Sequence, residues 1–351
     1  MANPLIYPFD TSLNPELTQI FSNNIPPEIQ SPSMTNNMFP HVISSFAAYH
    51  IGSCEQNWNN HIQDLIIYCL EHNIFNLVLF WSLSNYKIFN LQSINWKELY
   101  PKPYNWNPIE NYSIGIHAGI TKNLKYTLEM LPPILPYQVF ITNPKSWAIG
   151  KITTENSSCI NIIRNKGMTV FAHMPYLYNL ANPGLGSKIR TYLELATALG
   201  MKGCIIHCGK DTKQNIKESF KNMYQNIVEG MAHGLCPLVL ETPAGQKNEM
   251  LSNHYDFIEF VRSIYSIYPS FSICIDSCHV FASNYCPYQY LKYCVNLGVP
   301  LSLIHYNDSK GNWNCHVDRH ANIGEGYIPW VSLEKMAKLA SEKNIPMILE
   351  F

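Results

Sequence analysis

The first 86 residues contain no lysine and no arginine, and the whole chain of 351 residues carries a net charge of only −1 at neutral pH. The first absence excludes an Arg-rich transit peptide and a cationic leader at the N-terminus. The second excludes a chain that holds nucleic acid through overall positive charge. No apolar run is long enough to cross a bilayer either. The most apolar stretch, IFNLVLFWSL at 74–83, has half of the ~20 residues a spanning helix needs and follows Glu71 and His72, so it reads as a buried strand. A disulfide framework is missing as well. The eleven cysteines are odd in number and show no repeating spacing. With no secretory signal, this places the chain in a reducing, intracellular compartment, nuclear or cytoplasmic. The sequons at Asn111, Asn156 and Asn307 then carry no sugar.

What is present is unevenly spread. Residues 1–86 hold six of the 25 acids, which leaves 19 acids against all 24 Lys and Arg in residues 87–351. That mild positive balance suits a local DNA-binding face. Residues 1–56, with the run NNIPPEIQSPSMTNN, read as a flexible or loosely packed arm. Residues 57–111 read as a small α+β extension. Its helix is HIQDLIIYCLEHN at 61–73, with Ile62, Leu65, Ile66, Cys69 and Leu70 on one face; a strand follows, then a linker-like run over 86–111. Asparagine makes up about one residue in ten, which fits an AT-rich genome.

From 112 the pattern changes. Short β-branched or aromatic runs recur at 112–118, 137–142, 169–174, 204–208, 238–242, 272–276, 301–306 and 347–351, separated by longer helix-like segments such as KIRTYLELATALG. Apolar, non-alternating strands between helices imply a parallel sheet covered on both faces, and eight of them suggest a closed (β/α)8 TIM barrel over residues 112–351. An open, doubly wound sheet is the alternative, but no Gly-rich phosphate turn follows the first strand.

The polar residues at the strand ends then stand out. His173, His207, Glu241, Asp276, His305 and Glu350 close the third to eighth strands; His279 lies just past the sixth, and Asp318 and His320 follow the seventh. One such histidine is ordinarily a satisfied core residue. Nine convergent imidazoles and carboxylates are costly to bury unpaired, and metal ions are the obvious compensation. Five His and four carboxylates, with no obligatory thiolate, suit Zn or Mn, and one bridging carboxylate divides the nine among three ions. Such a cluster would cancel phosphodiester charge, acidify a water and hold a leaving oxygen. His117, ending the first strand, reads as a supporting or core residue at least as readily as a DNA contact. Cys204, Cys208, Cys274 and Cys278 beside the ligands read as small buried residues.

Six motifs occur in order: AHMPYLYNLANP (172–183), IIHCGK (205–210), LETPAGQ (240–246), CIDSCHVFASNY (274–285), HYNDSKG (305–311) and VDRHANIGEG (317–326). Through them the chain resembles the endonuclease IV family of apurinic/apyrimidinic (AP) endonucleases. The resemblance implies three Zn2+ ions, with Mn2+ an option at one site. It assigns His173, His207 and Glu241 to the first ion; Glu241, Asp276, His305 and Glu350 to the second; and His279, Asp318 and His320 to the third. It implies a monomer, with no membrane contact, that hydrolyses double-stranded DNA 5′ to an abasic site, leaving a 3′-hydroxyl and a 5′-deoxyribose phosphate, and that trims blocked 3′ ends. Glu241 and Glu350 would be the catalytic residues around a hydroxide held by the ions. Tyr176 matches the family's intercalating tyrosine. Lys145 stands where the family has an arginine, and keeps its charge without the planar stacking surface.

Two features depart from the family. The sequence stops at Phe351, where the family continues into a final helix, so the barrel is expected to lack its eighth helix, with part of residues 57–85 packing in its place. The long acidic, Asn-rich extension fits a large DNA virus, which would put the protein in a host cell or virion. Two other readings stay open: a sugar isomerase or epimerase on the same barrel, and an inactive damaged-DNA-binding or virion protein.

Overall fold

The computed structural model describes residues 102–149 and 157–350 in full, and residue 156 and four strands between residues 7 and 90 by their backbone. The chain divides into two units, Met1–Pro101 and Lys102–Phe351.

In the first unit, Phe46–His50 runs parallel to Asn76–Ser82, while Tyr7–Pro8 and Asn85–Asn90 pair antiparallel on either side. Asn76–Ser82 is the strand expected from the apolar run at 74–83. Asn85–Asn90 corrects the sequence reading, which puts NYKIFN at the start of a linker. Its alternating Tyr86, Ile88 and the flanking polar residues have the period of a strand, and it pairs with its neighbour over nearly its whole length. The helix expected at 61–73, and with it the packing of residues 57–85 on the barrel, lies outside the described residues.

The second unit is a closed parallel barrel. Its strands are β1 (Ile114–His117), β2 (Pro136–Val139), β3 (Thr169–His173), β4 (Cys204–Ile206), β5 (Leu238–Glu241), β6 (Ser272–Asp276), β7 (Leu301–His305) and β8 (Met347–Leu349). Each pairs with its neighbours in sequence order, and β8 returns to β1. Each of the eight strands falls on one of the apolar runs read from the sequence, with ends that differ by at most three residues, because strands covered on both faces need continuous apolar residues. The longer helices are α1 (Leu124–Met130), α2 (Cys159–Lys166), α3 (Gly186–Leu199), α4 (Ile216–Gly230), α5 (His254–Tyr265), α6 (Pro287–Asn296) and α7 (Trp330–Glu342), beside the short Pro108–Asn111 and Ser277–Ala282. Their ends follow local chemistry. Asn123, Asn215 and Asn253 accept first-turn amides of α1, α4 and α5, and Gly200 closes α3 in the left-handed region at φ 81°. Among the described residues no helix follows β8, and none is long and apolar enough to cross a membrane.

Inside the barrel, one buried residue from each of six strands forms a single cluster: Phe171, Ile205, Val239, Cys274, Leu303 and Ile348. The segment entering β1 lies against α7. Trp106 Nε1 and the Tyr112 hydroxyl donate to the two oxygens of Glu334, both at 2.7 Å, and the Trp106 ring tilts on Trp330 with centroids 5.8 Å apart.

Candidate metal centre

The inner cluster sets the site by register. Side chains two residues apart on a strand share a face. Two residues beyond each cluster member come His173, His207, Glu241, Asp276, His305 and Glu350. Six inward-facing columns of an apolar barrel thus each end in a polar group at the C-terminal mouth, where this architecture places its active sites.

The other three come from loops. Asp276 caps the short helix Ser277–Ala282, its Oδ1 accepting the His279 amide at 2.8 Å, so the strand end fixes the next candidate ligand. His320 sits in a two-residue strand, His320–Ala321, paired with Asp308–Ser309 directly after β7. Asp308 holds the loop beyond. Its oxygens accept amides from Ser309 (2.8 Å), Gly324 (2.9 Å), Gly326 (2.9 Å) and Ile328 (3.0 Å). Burial outweighs the lowering effect of these four amides and leaves its carboxyl raised to about 6. This accounts for the glycines of ANIGEG. Gly324 has φ 79°, and a Cβ on Gly326 would collide with the Asp308 carboxylate.

The ligand atoms gather in overlapping groups, each within 4.8 Å: His173, His207 and Glu241; Glu241, Asp276, His305 and Glu350; and His279, Asp318 and His320. Glu241 belongs to two groups. A further grouping of Asp276, Cys278 and His320 includes a thiol, but burial pushes Cys278 up to about 12 and keeps it protonated. Separations are those of atoms facing one point: His207 Nε2 to Glu241 Oε2 3.1 Å, His279 Nε2 to Asp318 Oδ1 3.2 Å, His320 Nε2 to Asp318 Oδ1 3.3 Å. These pairs are within ion-pair range but not aligned as hydrogen bonds: Glu241 Oε2, His279 Nε2 and His320 Nε2 are buried with no hydrogen-bond partner. Buried lone pairs aimed at one another are costly unless a cation lies among them. A divalent ion bound by nitrogen and oxygen donors fits each group.

Electrostatics agree. Burial opposes charge on Glu241, yet His207 and His305 hold its carboxyl well below the usual range. Burial likewise opposes charge on Glu350, and His305 and His117 pull it well below. Against burial, Asp276 and Asp318 carry His279 well above its ordinary value. His173 is pushed down by burial and stays neutral. Protons on some imidazoles thus do part of the charge compensation that ions would do, and binding ions would release them.

A cavity of about 320 Å3 opens onto this cluster, lined also by His117, Phe140 and Tyr176. Tyr176 is 59% exposed, and its ring lies 5.6 Å from that of His173 and 5.7 Å from that of His207. Burial and the carboxylates of Glu350, Glu241 and Asp318 push its hydroxyl up to about 12. Lys145 is exposed and does not line the cavity; two residues on, Trp147 is stacked on Tyr178 and covered by Lys188 Nζ at 4.3 Å. Cys204, Cys208, Cys274 and Cys278 are all buried. Three participants carried no signal in the sequence. Gln138, fully buried on β2, reaches Glu350 and His305; Asn307 donates to Asp276 Oδ2 at 2.7 Å and accepts the Glu350 amide at 2.9 Å; and Asp308 holds the glycine loop. Only Asn307 and Asp308 lay inside a quoted motif, HYNDSKG.

Residues 140–351 match the family described as "Xylose isomerase-like TIM barrel". The chain is similar to "Probable endonuclease 4" of Nitrosopumilus maritimus, at 27% identity over 258 residues, covering 68% of this chain and 92% of that one. It is similar to "Probable endonuclease 4" of Mesomycoplasma hyopneumoniae (strain J) at 32% identity over 193 residues, 52% of this chain and 68% of the other. Among solved structures, endonuclease IV from Thermus thermophilus superposes with a TM-score of 0.58 at 22% identity, covering 68% of this chain and 92% of that chain.

Proposed function

We propose that this chain, which belongs to the endonuclease IV family within the xylose isomerase-like TIM barrels, is a zinc-dependent AP endonuclease that cleaves duplex DNA 5′ to an abasic site. The observation that carries the reading is the sharing of Glu241 between two of three groups of ligand atoms at the mouth of one barrel. A sugar isomerase on this barrel has no use for the third group, His279, Asp318 and His320.

His173 and His207 would hold one zinc with Glu241; Asp276, His305 and Glu350 would hold a second with the same Glu241; His279, Asp318 and His320 would hold the third. When bound, the ions supply Lewis acidity toward phosphate oxygens and water. Four carboxylates against three divalent charges leave the site net positive, which attracts a phosphodiester. Asn307 and Asp308 keep the ligand-bearing elements in place: the first ties Asp276 to Glu350, the second ties the loop after His320 to the end of β7. Tyr176 walls the cavity and offers an aromatic face at its rim. A cavity of about 320 Å3 admits one extruded sugar-phosphate and no base pair, so selection rests on a nucleotide that leaves the stack at low cost, as a baseless one does.

The test is a duplex with a single tetrahydrofuran abasic analogue. Zinc-loaded protein is expected to cut the strand on the 5′ side without added magnesium, leaving a 3′-hydroxyl that a polymerase extends. No incision by fully loaded protein would sink the reading.

A further inference from the structure

Three imidazoles of the centre have one ring nitrogen committed to a fixed partner, and the commitments differ. His173 and His279 have Nδ1 against backbone carbonyls, Met174 O at 2.7 Å and Thr242 O at 2.8 Å. Donating Nδ1–H there leaves Nε2 bare toward the carboxylates. His305 is reversed. Its Nε2 lies 2.8 Å from Gln138 Oε1, while its Nδ1 faces Glu241 Oε1 and Glu350 Oε2, each at 3.0 Å. The partner that orients this ring is a side chain, on β2, a strand that contributes none of the nine candidate ligands.

Chemistry fixes which way the Gln138 amide points. Its nitrogen lies 2.6 Å from Glu350 Oε1 and 3.0 Å from His117 Nδ1. Reversing the amide would press its oxygen against a carboxylate and set its donors against His305. In the orientation that remains, Oε1 can only accept, so His305 Nε2 carries the hydrogen and Nδ1 is the ring atom left to serve a metal ion. Gln138 is fully buried, and no bulk water competes for these bonds.

We infer that Gln138 is a positioning residue of the metal centre: its oxygen fixes the ring orientation and tautomer of His305 so that Nδ1 is the ligand atom, and its nitrogen holds Glu350 Oε1 so that Oε2 faces the same point. One amide thereby sets two of the four side chains in the group of Glu241, Asp276, His305 and Glu350. The inference rests on the metal-centre reading proposed above. It also explains a polar residue amid the apolar YQVFIT, where a fully buried glutamine is tolerable only with its hydrogen-bonding capacity used.

The test replaces Gln138 with methionine, similar in length but unable to hold either partner, and reads two properties that involve no DNA. The first is the imidazole N–H spectrum of zinc-loaded protein carrying nitrogen-labelled histidine. The second is zinc affinity by chelator competition. Wild type is expected to show a slowly exchanging, hydrogen-bonded N–H on His305 Nε2. Gln138→Met should lose that signal and bind one of its ions about 10- to 100-fold more weakly, with the others unchanged. Gln138→Glu keeps an acceptor opposite His305 and should keep the signal; it decides the matter if the methionine variant fails to fold. A wild-type N–H signal and wild-type zinc affinity in Gln138→Met would overturn the inference, as would loss of the signal in Gln138→Glu. A wild type that binds zinc normally yet does not incise DNA would instead tell against the endonuclease reading alone.

Discussion

Trp106 and Glu334, 228 residues apart in sequence, meet through an indole N–H donated to a carboxylate oxygen at 2.7 Å. The same carboxylate takes the Tyr112 hydroxyl, and burial together with Glu334 pushes that hydroxyl up to about 12. The pair fastens the strap before β1 to the helix before β8, across the seam where the barrel closes. Glu334→Ala removes two charge-assisted bonds at once. A loss of about 2–3 kcal/mol, or about 5 °C or more in Tm, is expected in thermal unfolding. An unchanged Tm would show that the strap is not part of the closure.

The ion count is the next expectation. Zinc-loaded wild type should retain about three ions per chain by elemental analysis. His320→Ala should retain one fewer and lose most activity with circular dichroism unchanged. Glu241→Ala should lose more than one, because its carboxylate belongs to two groups. Equal losses from the two variants would contradict the sharing of Glu241.

Tyr176 gives a prediction about discrimination. Its exposed ring at the cavity rim can stack only where a base is missing, a contribution of about 1–3 kcal/mol. Tyr176→Ala is expected to weaken binding to an abasic duplex by about 10-fold or more and to an intact duplex by much less. Matching losses on both duplexes would reduce Tyr176 to a general contact.

His254, which is not one of the candidate ligands, sets a pH dependence of its own. It is buried among Tyr285, Tyr290 and Tyr293, its Nδ1 has no hydrogen-bond partner, and burial pushes it down to about 4. The unfolded chain, with its histidine near 6.5, binds a proton there more readily than the folded one. Stability from this site is therefore complete above about pH 6.5 and declines as pH falls toward 4. At pH 5 the loss is about 2 kcal/mol. His254→Phe should be less acid-sensitive than wild type by that amount in urea unfolding at pH 5 and pH 7.5. Parallel pH curves for the two proteins would refute the assignment.

The strands were legible because a parallel barrel demands uninterrupted apolar runs, and each of the eight lies on such a run, though the runs overshoot some strand ends by two or three residues. The candidate ligands were legible because His, Asp and Glu are conspicuous at or just past the ends of such runs; why six of them converge became clear only with the register, each two residues beyond a core residue such as Val239 or Leu303. Gln138 was not legible. A single glutamine in an apolar strand looks the same whether it faces solvent on an edge or three polar groups in a core. Asn85–Asn90 was misread because Asn and Lys dilute its apolar positions to the level of a linker. Lys145 was singled out by position in a motif as a DNA contact, and it is exposed outside the cavity lining.

Glu350 comes last of the nine in chain order and follows the strand that shuts the barrel, since β8 pairs with both β7 and β1. During synthesis, eight of the nine side chains therefore emerge while the cylinder is still open. His279, Asp318 and His320 are near enough in sequence to assemble early, but the group built on Glu241 and Glu350 has to wait for the final pairing. A nascent or truncated chain that stops short of Met347 loses the closing strand and that carboxylate together. An ion held by Glu241 and Glu350 together would therefore require a chain translated through β8.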